Sequence, residues 1–217
     1  MRDYYEGQLE KLNKNVVMMG QLAAEAICHA MDALLKKDTE EAKETIHYDD
    51  HIDRMEREIE NLCLNLLLSQ QPVAADLRMV SSALKMITDM ERIGDHAADI
   101  SEITLLLAKN GYPDNLDEVR KMAEETIRMV TDSVDAYIQK DTGKAMEVIR
   151  RDDVVDQYFT EIKKAIIRQI NENIQSGEQA ADVLMIVKYL ERIGDHAVNL
   201  AEWVLFYITG AHPEVSV

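Results

Sequence analysis

The sequence predicts an all-α protein built as two tandem three-helix bundles related by an internal repeat, and three observations predict it. Aromatic residues make up only 5 % of the 217 positions, with 8 glycines and 3 prolines among abundant Leu, Ala, Ile, Met, Glu and Lys, which is the composition of long helices. Apolar residues recur at alternating spacings of three and four along most of the chain. The heptapeptide Glu91-Arg92-Ile93-Gly94-Asp95-His96-Ala97 returns unaltered at Glu191 to Ala197, 100 positions later, so half of the chain repeats the other half. With 47 % hydrophobic residues the chain can bury a substantial core.

The first helix is expected from about Tyr4 to Lys36, with Leu9, Leu12, Val16, Met19, Ala23, Ile27, Ala30 and Leu34 on one side. At ~1.5 Å per residue it would be roughly 45 to 50 Å long. Lys36-Lys37 suits a C-terminal turn, and Asp38-Thr39 offers the next N-cap. The second helix carries Ile52, Met55, Ile59, Leu62 and Leu66 and runs to about Gln70, where Pro72 restarts the chain as a first-turn proline. The third carries Leu77, Val80, Leu84, Ile87, the heptapeptide, Ile100, Leu105 and Leu106. It ends at Asn110-Gly111-Tyr112-Pro113, a glycine followed shortly by proline.

That ending divides the chain into a first repeat, 1–111, and a second, 112–217. Ala136-Tyr137-Ile138-Gln139-Lys140-Asp141-Thr142 matches Ala33 to Thr39, and Asp152-Asp153-Val154-Val155-Asp156 matches Asp49 to Asp53, both displaced by 103 positions. The later displacement of 100 means that the second repeat has lost three residues, expected near Ser176-Gly177. Each repeat is one three-helix unit, and without a Ser- or Pro-rich linker the two are expected to pack together.

Acidic residues outnumber basic ones 41 to 24, for a formal charge of −17. Nucleic acid and anionic lipid would be repelled; metal cations and basic protein surfaces are the natural partners. The start of the chain lacks a signal-peptide pattern and no run approaches ~18 apolar residues, so a cytoplasmic protein is expected, with membranes reached only through partners. Cys28 and Cys63 sit in helical contexts and read as reduced core thiols.

The repeated heptapeptide holds two carboxylates four residues apart, about 40° from one another around a helix. Such a like-charge pair costs a few tenths of a kcal/mol in an isolated helix. This chain repeats the cost: Asp49/Asp53 and Glu91/Asp95 in the first half are matched by Asp152/Asp156 and Glu191/Asp195 in the second. The apolar seam runs straight through the motif as Met86, Met90, Ile93, Ala97 and Ile100, and again as Ile186, Leu190, Ile193, Ala197 and Leu200. Ile93 lies roughly 160° around the helix from Glu91, so the acids are expected to point outward on a face continuing to Glu102 and Glu202. Asp99 extends the first site, and its counterpart Asn199 leaves the second one charge short. Crowded oxygen ligands on adjacent helices suit hard or borderline cations, and bridging carboxylates suit clusters of several ions. An ordinary solvated acidic face is the plainer alternative, less specific than a repeated pair of pairs.

His96 and His196 point about 100° away from the acids they follow, which favours a surface, capping or supporting role over direct ligation. Glu44 and His47 have the Glu-x-x-His spacing of di-iron bundles, but the counterparts are Glu147 and Arg150, so the match reads as coincidence. Arg92 and Arg192 read as charge balance beside the acids. Gly94 and Gly194 each cost ~1 kcal/mol in mid-helix and imply close approach of another helix or of metal ligands. Phosphate loops, nucleophile elbows and Cys/His clusters are absent from the sequence.

The twice-occurring Glu-Arg-Ile-Gly-Asp-His, the upstream Gln70-Gln71-Pro72-Val73-Ala74-Ala75-Asp76-Leu77-Arg78 and the Asp-Asp-x-x-Asp segments together resemble the PhoU family of phosphate-transport regulators, over essentially the whole chain. The resemblance implies two three-helix repeats and multinuclear metal clusters, with iron or zinc foremost and magnesium or manganese as further candidates. The residues it assigns to them are Asp49, Asp53, Glu91 and Asp95, and Asp152, Asp156, Glu191 and Asp195. It implies a regulatory adaptor between the ATPase subunit of the phosphate ABC transporter and the sensor histidine kinase of the phosphate-starvation response, restraining both when phosphate is plentiful. A homodimer is expected, and no enzymatic activity. The competing expectation is a carboxylate-bridged metalloenzyme, an oxidase or phosphohydrolase, which would need open coordination positions and buried ligands with histidine.

Overall fold

A computed structural model describes residues 2–69, 73–113, 115–173 and 177–211. The described residues form six helices: α1 (Arg2–Lys36), α2 (Thr39–Ser69), α3 (Ala74–Asn110), α4 (Asp117–Gln139), α5 (Thr142–Glu172) and α6 (Gly177–Thr209). The expected roles of Gln70, Pro72 and Ser176 fall outside the described residues.

The turns between the first two helices of each repeat are built alike. Lys37 and Lys140 take the left-handed conformation (φ 59° and 51°) just past α1 and α4. Each ammonium lies over a tyrosine ring near the end of the third helix of its own repeat, Lys37 over Tyr112 at 5.2 Å and Lys140 over Tyr207 at 5.3 Å. A cation at that position also opposes the helix dipole. Asp38 and Asp141 then cap α2 and α5, their Oδ1 atoms accepting from Glu40 and Glu41 N–H (3.0 and 3.1 Å) and from Gly143 and Lys144 N–H (2.8 and 3.0 Å). Gly111 ends α3 with φ 103° and donates to Leu107 O at 2.8 Å.

Within each repeat all three helices touch one another, and the repeats meet through α3 against α6 and α1 against α4, so α2 and α5 flank a central group of four. The seams expected through the heptapeptides are fully buried in both repeats, and α1 buries Leu12, Val16, Met19, Ala23, Ile27, Ala30 and Leu34. All belong to one continuous core. The α1–α4 crossing depends on Gly20, where an added methyl would lie 2.5 Å from Val134 Cγ2.

Several expectations are corrected. Leu77 and Leu106, near the two ends of α3, are each 45 % exposed although they keep the periodic spacing, and Leu107 is the buried leucine of the last turns. Cys28 is exposed and only Cys63 is a core thiol. The three-residue deficit falls within α6, which reaches Glu191 sooner after Gly177 than α3 reaches Glu91 after Ala74, while the two inter-helix connections have equal length. No described helix is long and apolar enough to cross a membrane.

Candidate metal centres

The two acid pairs of each repeat come together where the second helix packs on the third. In the first repeat, burial pushes the Asp49 carboxyl up to about 7, and the charges of Asp95, Asp53 and Glu91 add to it. In the second, burial and the charges of Asp156, Asp195 and Glu191 push Asp152 up to about 6. Glu91 and Asp195 are raised by the same causes, burial first.

Gly94 makes the first crossing close. An added methyl there would stand 2.5 Å from Asp49 Oδ1 and 2.8 Å from Ile52 Cδ1. The corresponding methyl at Gly194 would meet Val155 Cγ1 at 3.4 Å and Asp152 Oδ1 at 3.5 Å, ordinary contacts. The paired glycines therefore do admit a neighbouring helix, more tightly in the first repeat.

The acids are less outward than the seam of α3 alone predicts. The side chains of Glu91 and Glu191 are only 19 % and 16 % exposed. A helical wheel places them opposite Ile93 and Ile193 but does not show that α2 and α5 cover that flank. The sites are half-buried grooves between helices rather than open surface patches.

Basic side chains lie over both groups of acids. Arg57 Nη2 donates to Asp53 Oδ2 at 2.9 Å, and Arg92 Nη1 donates to Asp95 Oδ2 at 2.8 Å with its Nε 3.4 Å from Glu91 Oε2. Lys188 Nζ meets Glu191 Oε2 at 2.5 Å, and Arg192 Nη1 lies 3.6 Å from Asp195 Oδ2. With these pairs in place, no three His, Cys, Asp or Glu side chains among the described residues stand close enough together to hold one ion. The donor set nevertheless fits a cation. It is all carboxylate oxygen, and Asp49 Oδ1 is buried without a hydrogen-bond partner among the described residues. Arg57 and Arg92 are exposed pairs of the kind worth about 0–1 kcal/mol, so swinging them aside costs little.

Asp99 and Asn199 make their described contacts elsewhere, in the seam where α3 meets α6. His196 Nδ1 and Asn199 Nδ2 both bond Asp89 Oδ1, at 2.8 and 3.0 Å. Across the pseudo-twofold, His96 Nδ1 lies 3.3 Å from Asp99 Oδ2 and its ring stacks on Tyr189 at 5.2 Å. The two histidine rings are 5.7 Å apart, and burial lowers the His96 imidazole below its usual value. The histidines thus join the repeats, a supporting role consistent with their angle on the helix. Glu44 and His47, by contrast, are both exposed.

Sequence reasoning missed Arg57, Lys188, Asp89 and Tyr189. The repeat itself hides them: Asp89 corresponds to Tyr189, Lys188 to Thr88 and Arg57 to Thr160, so a comparison of like with like passes over them.

Fold and site together define a tandem-repeat helical scaffold with one half-buried carboxylate cluster per repeat. The chain belongs to the PhoU family: the PhoU domain model matches it twice, over residues 16–104 and 119–204. It is 37 % identical over 216 residues to a phosphate-specific transport system accessory protein PhoU homolog of Clostridium acetobutylicum, covering 99 % of each chain. It is 31 % identical to the namesake of Pseudomonas aeruginosa, covering 95 % of this chain and 86 % of that one. The fold superimposes on the crystal structure of PhoU from Pseudomonas aeruginosa with a TM-score of 0.92 at 31 % identity, over 95 % of this chain and all of that one. For the phosphate transport system regulatory protein PhoU from Streptococcus pneumoniae the TM-score is 0.88 at 29 % identity, over 97 % and 100 %.

Proposed function

We propose that this protein is a metal-binding cytoplasmic adaptor that restrains phosphate uptake and the phosphate-starvation response. In this reading it acts between the ATPase subunit of the phosphate transporter and the sensor histidine kinase, as a homodimer. Its curated relatives are phosphate-specific transport system accessory proteins, which supports a place in that system. The observation that carries the metal-binding part is the orphaned, buried Asp49 Oδ1 amid three further carboxylates, with the same four positions acidic in the second repeat. Asp49, Asp53, Glu91 and Asp95 would hold the first cluster, and Asp152, Asp156, Glu191 and Asp195 the second. A bound cation would supply the positive charge now lent by Arg57, Arg92, Lys188 and Arg192, and would tie the second helix of each repeat to the third.

Elemental analysis of protein purified after supply of iron, zinc and manganese tests the metal, beside Glu91→Gln/Asp95→Asn. Metal in the wild type and about half as much in the variant is expected; metal in neither contradicts the proposal. Co-purification with the transporter ATPase and the kinase tests the adaptor role, and failure with both contradicts it.

A further inference from the structure

The helices that join the two repeats frame a groove apart from the acid clusters. Its long part is apolar: Val17 and Met18 of α1 line a cavity of about 470 Å³ with Ile138 and Tyr207. Met18 and Ile138 are about half exposed, at 49 % and 50 %. Asn13, Lys140 and Tyr207 also line an adjoining cavity of about 380 Å³, to which the start of α3 contributes Asp76 and Arg78. The groove is an apolar trough that adjoins a pocket of mixed lining, in which Asp76, Arg78 and Lys140 carry the charge.

Its charge runs against that of the chain. In a protein of net charge −17, Lys14, Lys140 and Arg78 line the groove, and Asp76 is the only acid among the described residues that do. Lys140, like Lys37 in the first repeat, lies over a tyrosine ring, here that of Tyr207. Arg78 Nε is buried with no hydrogen-bond partner among the described residues, and its stem packs where a methyl on Gly210 would meet it at 3.4 Å. An unpaired guanidinium nitrogen in that position is costly, and a carboxylate is the group whose geometry satisfies it.

We propose that this groove docks a segment of a partner protein in which large apolar side chains flank a carboxylate. The apolar side chains fill the trough between α1 and the end of α4, and the carboxylate meets Arg78 and Lys140. Charge complementarity selects this occupant: the acidic remainder of the surface repels an acidic partner, so only a local cationic pocket backed by apolar contact retains one. The inference rests on the adaptor reading for the existence of a protein partner and is independent of metal binding.

The test is selection of a random dodecapeptide display library on the full-length protein, with depletion on Ile138→Asp and, separately, on Met18→Asp. Circular dichroism verifies that each variant is folded. The enriched peptides are expected to combine Leu, Ile, Met, Phe or Trp with Asp or Glu. Fluorescein-labelled copies are expected to bind saturably in anisotropy and to weaken at least about ten-fold in Arg78→Gln/Lys140→Gln, as for loss of a charge-assisted pair. They are expected to bind Glu91→Gln/Asp95→Asn as they bind the wild type. Enriched peptides without acids, binding that is equal in all groove variants, or no enrichment over the depleting variants would overturn the proposal. Self-association abolished by Ile138→Asp would overturn it in favour of a second copy, and peptide binding that appears only after removal of residues 212–217 would overturn it in favour of the chain's own end. Should the transporter ATPase and kinase fail to co-purify while acidic apolar peptides bind as described, the adaptor reading falls and the groove stands.

Discussion

Asp49 destabilises the metal-free protein, and replacing it with asparagine is expected to raise the melting temperature. Its carboxyl is held up to about 7 from an ordinary 3.8 by burial and by four neighbouring acids, Asp95, Asp53, Glu91 and Asp50. Taken in full that displacement corresponds to about 4 kcal/mol, but the residue is only partly buried and solvent screening reduces the effect to about 1–2 kcal/mol. The folded protein holds this proton more tightly than the unfolded chain does. The penalty is therefore absent below about pH 4, grows as pH rises toward 7 and is complete above it. For a chain of this length 1 kcal/mol moves Tm by about 2–4 °C, so Asp49→Asn in chelator is expected to gain about 2–8 °C at pH 8 and nothing at pH 4. Bound metal reverses the order, because an ion at 100 times its Kd adds about 2.7 kcal/mol to the wild type and little to the variant. Thermal melts at both pH values, with chelator and with metal, read all of this. A lower Tm for Asp49→Asn in chelator at pH 8, or an equal change at both pH values, would mean that the Asp49 charge does not destabilise the metal-free fold.

The paired glycines are expected to respond oppositely to alanine. Gly194→Ala makes ordinary contacts and gains up to about 1 kcal/mol of helix propensity, whereas Gly94→Ala must displace Asp49 and Ile52 and loses about 1 kcal/mol or more, as calorimetry can show. Gly20→Ala, forced against Val134, is expected to cost about 1–3 kcal/mol in denaturant unfolding, because it parts α1 from α4. Asp89→Ala removes the acceptor shared by His196 and Asn199 and is expected to cost about 1–3 kcal/mol, again by denaturant titration; an unchanged midpoint would show that the α3–α6 seam is held by apolar packing alone.

Most of the fold was legible because its signals are local. Asp38 and Asp141 announce their caps, Gly111 its chain reversal, and Ile93 and Ile193 the buried side of their helices. The acid groups were legible for a different reason: repetition exposed a like-charge pairing that a single helix would avoid. What could not be read was the third dimension of the site. Only the packing of α2 on α3 shows that Glu91 is covered and that Gly94 faces Asp49, and only that of α3 on α6 shows that Asp99 and Asn199 turn toward the other repeat. Leu77 and Leu106 keep the periodic spacing of core residues and lie exposed, because periodicity says which side faces inward and not how far the neighbouring helix extends. The groove around Lys140 draws its residues from four helices distant in sequence, so nothing in any one of them marks it.

Whether each repeat holds metal between its second and third helices can be read from anomalous scattering by a crystal of the protein prepared with iron, zinc and manganese. Peaks are expected within about 2.0–2.4 Å of carboxylate oxygens in both groups, at Asp49, Asp53, Glu91 and Asp95 and at Asp152, Asp156, Glu191 and Asp195, with Arg57 and Arg92 displaced. Well-ordered carboxylates still paired with Arg57, Arg92, Lys188 and Arg192, and no anomalous peak between those helices, would contradict metal binding there.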